Sequence, residues 1–120
     1  MSLDSSLIVD DNESFLQVAR GLLEQEGLVV VGVASTSADA VRLVESHDPD
    51  VVLVDVFLGD ESGLELARRL ADGGETVILI STHPEDDLAG LLAENPAVGY
   101  LQKSDLSAEA IRRIGDGRPA

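Results

Sequence analysis

The chain has 120 residues, no cysteine and a formal net charge of −15, which is the size of one compact domain with neither a disulfide nor a thiolate metal site. No apolar run reaches the ~18 residues of a membrane span, and the start lacks the basic-then-apolar pattern of a secretory signal. The acidity, with aromatics at only 2%, speaks against binding phosphate backbones or stacking on bases.

In chain order, Leu7-Ile8-Val9 is the first of five short apolar runs. Phe15, Val18, Ala19, Leu22 and Leu23 then recur at helical spacing, and Gly27 is placed to end that helix. Leu28-Val29-Val30-Val31 is the second run, and Ser37 is the predicted cap of a helix carrying Ala40, Val41 and Val44. Val51-Val52-Leu53-Val54 is the third, before a helix marked by Leu64, Leu66, Ala67 and Leu70 that stops at Gly73-Gly74. After Val77-Ile78-Leu79-Ile80, Pro84 suits the first turn of a helix containing Leu88, Leu91 and Leu92. Val98-Gly99-Tyr100-Leu101 is the fifth run, and Ser107–Ile114 forms the last helix. The whole chain, 1–120, reads as a single domain. Met1-Ser2-Leu3 is compatible with an added start, and Gly115–Ala120 with a linker start or frayed end.

Continuous apolar runs without alternation indicate strands buried on both faces, hence a parallel sheet. Five β-then-α units predict an α/β doubly wound sheet of order 2-1-3-4-5 with five helices. Its binding crevice lies at the carboxyl ends of strands 1 and 3. Polar residues follow the apolar runs at those ends. Asp10 and Asp11 follow the first and Asp55 the third, so three carboxylates are expected to converge. Their mutual repulsion calls for compensation by a hard divalent cation such as Mg2+. Read singly, Asp10 and Asp11 are as well explained as helix caps. Lys103 after the fifth run would pass for a surface lysine, and Ser81 after the fourth for a turn residue. Their joint placement around one crevice is what argues for chemistry. A carboxylate there can attack phosphorus as a nucleophile, with magnesium and lysine neutralising charge.

At this point the chain resembles the receiver domains of bacterial two-component response regulators, over essentially its whole length. The resemblance rests on Leu7-Ile8-Val9-Asp10-Asp11, Val51-Val52-Leu53-Val54-Asp55, Ile80-Ser81 and Gly99-Tyr100-Leu101-Gln102-Lys103, in order, with Ser62-Gly63-Leu64-Glu65 matching the loop into the third helix. It implies a flavodoxin-like fold and a cytoplasmic phosphoprotein that takes a phosphoryl group on Asp55 from a histidine kinase or phosphotransfer protein. It implies that Asp10, Asp11, Asp55 and the backbone carbonyl of Phe57 hold Mg2+. Lys103 would contact the phosphoryl group, Ser81 would be the switch hydroxyl and Tyr100 the aromatic switch. The output surface would be the fourth helix, fifth strand and fifth helix, through which a homodimer could form. The domain would be no enzyme beyond catalysing its own phosphotransfer and dephosphorylation. A phosphorylation-independent pseudo-receiver, acting as an interaction module, is the alternative.

The chain departs from the family pattern in three places. Gly59 stands where the family usually has proline, leaving that loop freer. Ser104 follows the lysine in place of a frequent proline. Lysine-serine there is similar to LuxR-type regulators, whose receivers precede a DNA-binding domain; such a domain would lie outside this chain. Thr82 is larger than the usual neighbour of the switch hydroxyl and narrows access to the phosphoryl group. Phe57 and His83 flank the expected approach of water, although His83 is more readily read as a loop residue before Pro84. His47 is given no role. Other enzymes on similar sheets fit less well. A haloacid-dehalogenase-type phosphatase wants an acid two residues after the aspartate, where Phe57 stands, and a dinucleotide binder wants a Gly-x-Gly-x-x-Gly turn that follows neither strand 1 nor strand 2.

Overall fold

The five β-branched runs become strands because each finds apolar cover on both faces. In the computed structural model, which describes residues 4–116, they are β1 (Ser5–Val9), β2 (Val29–Ala34), β3 (Val51–Asp55), β4 (Val77–Ser81) and β5 (Gly99–Gln102). All pair in parallel in the order β2-β1-β3-β4-β5. The expected topology is present, with α1 (Glu13–Gln25), α2 (Ser37–His47), α3 (Gly63–Asp72), α4 (Ala89–Leu92) and α5 (Ala108–Asp116) covering the sheet. The expectations for Met1–Leu3 and for residues 117–120 lie outside the described residues.

Alternate residues of the central strands feed two separate cores. Leu7, Val9, Val52, Val54, Val77 and Leu79 pack on the side of α2 and α3. Ile8, Leu53, Ile78 and Ile80 pack on the side of α1 and α5. Each fully buried aliphatic side chain contributes roughly 1.5–3 kcal/mol, so the three central strands form the rigid part of the molecule.

Local differences from the sequence reading have physical causes. The run at 28–31 extends as a strand to Ala34. Val30 pairs with Ser6 and Gly32 with Leu7, so a bulge at Val31 absorbs one residue. Thr36, not Ser37, caps α2, because its hydroxyl accepts from the Asp39 amide at 3.2 Å. Ser37 is the first helical residue, and its own amide donates to Glu61 Oε1 at 2.9 Å. The fourth helix is a 3-10 turn, Glu85–Leu88, followed by the single α-turn of α4. Pro84 sits ahead of both in extended conformation, and no side chain caps either piece. At the other end, α5 runs on through Gly115 and Asp116, and Gly115 is buried.

Candidate functional site

Register alone brings the expected residues together. Val9 pairs with Val54, so Asp10 continues beside Asp55; Asp55 pairs with Ile80, and Ser81 with Gln102, the residue before Lys103. All four strand ends open onto one cleft of about 340 Å3 that Asp11, Phe57, Gly59 and Thr82 also line. Carboxylate oxygens of Asp10, Asp11 and Asp55 lie within 4.8 Å of one another. Asp10 is fully buried and Asp55 nearly so, whereas Asp11 is exposed.

Each buried carboxylate is oriented by the chain just after it. The Phe57 amide donates to Asp55 Oδ1 at 3.0 Å, and the Asn12 amide to Asp10 Oδ1 at 2.9 Å. The second oxygens face Lys103, whose Nζ lies 2.6 Å from Asp10 Oδ2 and 3.1 Å from Asp55 Oδ2. Asp10 Oδ2 receives no hydrogen bond of ordinary geometry, so its compensation is the lysine charge alone. That ammonium also stands over the Phe15 ring, 4.3 Å from its centroid. Phe15 was expected only as a core residue of α1, and it helps to place the lysine.

The loop after Asp55 is ordered by pairing. Phe57 pairs with Ser62 and Leu58 with Glu61 in a short antiparallel ladder whose two-residue turn is Gly59-Asp60. Gly59 has φ +59°, and Asp60 is not left-handed, as in the hairpin turn that wants glycine first. Proline, locked near −65°, has no access to that conformation, so the departure from the family residue is required by this turn. Ser62 then caps α3 by accepting from the Glu65 amide at 3.2 Å.

A residue that sequence reasoning passed over as part of a loop match is Gly63. Its amide donates to the Val56 carbonyl at 3.1 Å, which draws α3 onto the end of β3. A Cβ at Gly63 would lie 1.7 Å from the Asp55 carbonyl oxygen.

Ser81 and Tyr100 meet at His83. The His83 amide donates to Ser81 Oγ at 3.2 Å, and the ring Nδ1 lies 3.1 Å from the same oxygen. The Tyr100 hydroxyl donates to the His83 carbonyl. The His83 ring also meets Phe57 edge-on, with centroids 5.5 Å apart. Thr82 is exposed, and its carbonyl accepts from the Gln102 amide group at 3.2 Å. Tyr100 stands outside the acidic cleft, in an adjoining hollow of about 280 Å3 beside Leu92 and Ala97.

The electrostatics follow from burial and crowding. Burial pushes the Asp55 carboxyl up and the Asp10 charge adds to this, against the pull of the Phe57 amide and Lys103. Burial would lower Lys103, but its close pairing with the Asp10 and Asp55 carboxylates outweighs it and holds the ammonium above its ordinary range. Burial likewise raises Tyr100. A carboxyl raised on folding binds more protons in the folded than in the unfolded chain between its two pKa values. Stability therefore falls as pH rises from the ordinary aspartate range through the raised value. Metal-free protein is expected to lose stability across that acid window, and Asp55→Asn to flatten the loss. Urea midpoints measured from pH 4 to 7 check this; parallel curves for the two proteins would contradict it.

The fold and its acidic cleft thus define a doubly wound α/β domain with its chemistry at the strand ends. The family model for the response regulator receiver domain matches residues 6–114. Response regulator UvrY of Escherichia coli (strain K12) is 35% identical over 111 residues, covering 90% of this chain and 51% of its own length. Transcriptional regulatory protein YdfI of Bacillus subtilis (strain 168) is 32% identical over 111 residues, 91% of this chain and 52% of its own. The chain spans about half the length of these curated relatives. A solved two-component response regulator of the LuxR family from Aurantimonas sp. SI85-9A1 superposes with a TM-score of 0.83 at 30% identity, covering 99% of this chain and 89% of that one. The chain belongs to the response regulator receiver domain family. Among the described residues no helix is long and apolar enough to cross a membrane.

Proposed function

We propose that this chain is a phosphoacceptor receiver that takes a phosphoryl group on Asp55 from a histidine kinase or phosphotransfer protein. The observation that carries the reading is the setting of Asp55: one oxygen on the Phe57 amide, the other on Lys103, with Asp10 and Asp11 alongside. Asp10, Asp11, Asp55 and the Phe57 carbonyl would hold Mg2+, a fit supported by hard oxygen donors and by a buried Asp10 oxygen that has no hydrogen bond. The ion, when bound, offsets negative charge on the carboxylates and the incoming phosphoryl group. An Asp55 oxygen attacks phosphorus and the bond from phosphorus to the donor breaks, leaving an acyl phosphate. Lys103, freed from part of its pairing, neutralises a phosphoryl oxygen, and Ser81 Oγ moves to donate to another. Tyr100 follows Ser81, and the change is read on α4, β5 and α5, a surface through which a second copy could pair. A DNA-binding output domain outside this chain accords with relatives of twice the length, one of them described as a transcriptional regulatory protein, and a cytoplasmic setting goes with that role.

Acetyl phosphate with magnesium tests the reading. One acid-stable, base-labile phosphoryl group is expected on the wild-type chain and none on Asp55→Asn. A label that survives the substitution would move the acceptor elsewhere. No label on either protein would favour a phosphorylation-independent interaction module of the same fold.

A further inference from the structure

We propose that His83 is a positioning residue that latches the Ser81 hydroxyl in its resting place, so that phosphorylation of Asp55 must break a Ser81–His83 hydrogen bond. The inference rests on the phosphoacceptor reading above. Ser81 is buried at the end of β4, 1% exposed. A hydroxyl has one proton and two lone pairs. The His83 amide donates to Oγ at 3.2 Å, and His83 Nδ1 lies 3.1 Å from the same oxygen; in the latch the hydroxyl proton goes to Nδ1. The latch therefore requires the Nε2–H tautomer of the ring.

His83 is held for this task at its ring and at its backbone. Phe57, two residues after the acceptor, packs its ring against it at 5.5 Å and an interplanar angle of 61°. The Tyr100 hydroxyl fastens the His83 carbonyl. One residue thus joins the switch hydroxyl, the switch aromatic and the loop leaving the phosphoacceptor. The Ser81 proton serves either Nδ1 or a phosphoryl oxygen on Asp55, and the two uses compete. His83 therefore weights the molecule toward its unphosphorylated arrangement. Because His83 is itself exposed, its side chain can be changed without opening the core.

Tyr100 is the chain's single tyrosine and there is no tryptophan, so tyrosine fluorescence reports on this corner directly. The test titrates the full chain with beryllofluoride and magnesium, as a mimic of the phosphoryl group. His83→Phe keeps a ring against Phe57 but removes the acceptor. It is expected to bind the mimic about three- to tenfold more tightly, the value of one ordinary hydrogen bond. His83→Asn, whose amide oxygen can take the place of Nδ1, is expected to return affinity toward wild type. In a Ser81→Ala background His83→Phe should change nothing. Unchanged affinity in His83→Phe, an equal gain in the Ser81→Ala background, or no return with Asn would each overturn the latch. A wild-type chain that ignores beryllofluoride would sink the phosphoacceptor reading instead. The latch is then judged by 15N spectra of the resting protein, which should show Nδ1 as the unprotonated ring nitrogen, with a shift in Ser81→Ala. A proton on Nδ1 would refute it.

Discussion

Gly63→Ala is expected to lower stability by about 3 kcal/mol or more, an unusually large effect for one methyl group. The added carbon would sit 1.7 Å from the Asp55 carbonyl oxygen, 2.7 Å from its carbonyl carbon and 2.9 Å from that of Val56. These are backbone atoms of a strand end held in the sheet, so no rotamer change relieves the overlap. Either α3 withdraws from β3, losing the bond from the Gly63 amide to Val56, or the Asp55 backbone moves. In both cases Asp55 shifts relative to Asp10 and Lys103. Urea denaturation gives the stability change and acetyl phosphate labelling the functional one. A midpoint equal to wild type would show that the close approach is not needed.

Lys103→Met carries the second large effect, an expected loss of about 3–5 kcal/mol in metal-free protein at neutral pH. The substitution keeps the length of the side chain and its packing on Phe15 while removing the charge. Asp10, at 0% exposure, and Asp55, at 6%, would then face one another without a cation. Because proton uptake is the alternative way to remove that repulsion, the loss should shrink as pH falls through the raised Asp55 pKa. Added magnesium should also recover part of it. Thermal melts across pH, with and without magnesium, separate these contributions. A loss that stayed constant with pH would assign the effect to packing rather than to charge.

The sheet was legible because its signal is local. Five apolar runs name five strands, and the polar residues after the first, third, fourth and fifth name candidates for the crevice, since strand order alone decides which ends are neighbours. Asp10, Asp11, Asp55, Ser81 and Lys103 were found this way, and the register closes them around one cleft. What the sequence hid depends on distances across loops. Nothing in Ser62-Gly63-Leu64 announces that a carbonyl will lie against Gly63, and nothing in Phe15 announces that an ammonium will rest on its ring. Propensity favours Ser37 as the cap of α2; only the reach to the Asp39 amide selects Thr36. The fourth helix was overread for a related reason. Leu88, Leu91 and Leu92 have helical spacing, but without a capping side chain, and with Gly90 among them, the segment divides into two short turns.

The bond from the Ser37 amide to Glu61 gives the hairpin beyond Asp55 a mechanical character. Its near end is fixed to the acceptor through the Phe57 amide, and its far end is pinned to the first turn of α2. A loop anchored at one end is a tether and can drift; one anchored at both ends is a strut and carries load. Any displacement of the Phe57 carbonyl therefore has to snap the Glu61 fastening or push α2 as it goes. Asp55 is thus braced against two helices, α3 through Gly63 and α2 through Glu61. Strain introduced at the Asp55 carboxylate has a route into the body of the domain separate from the one proposed through Ser81 and Tyr100.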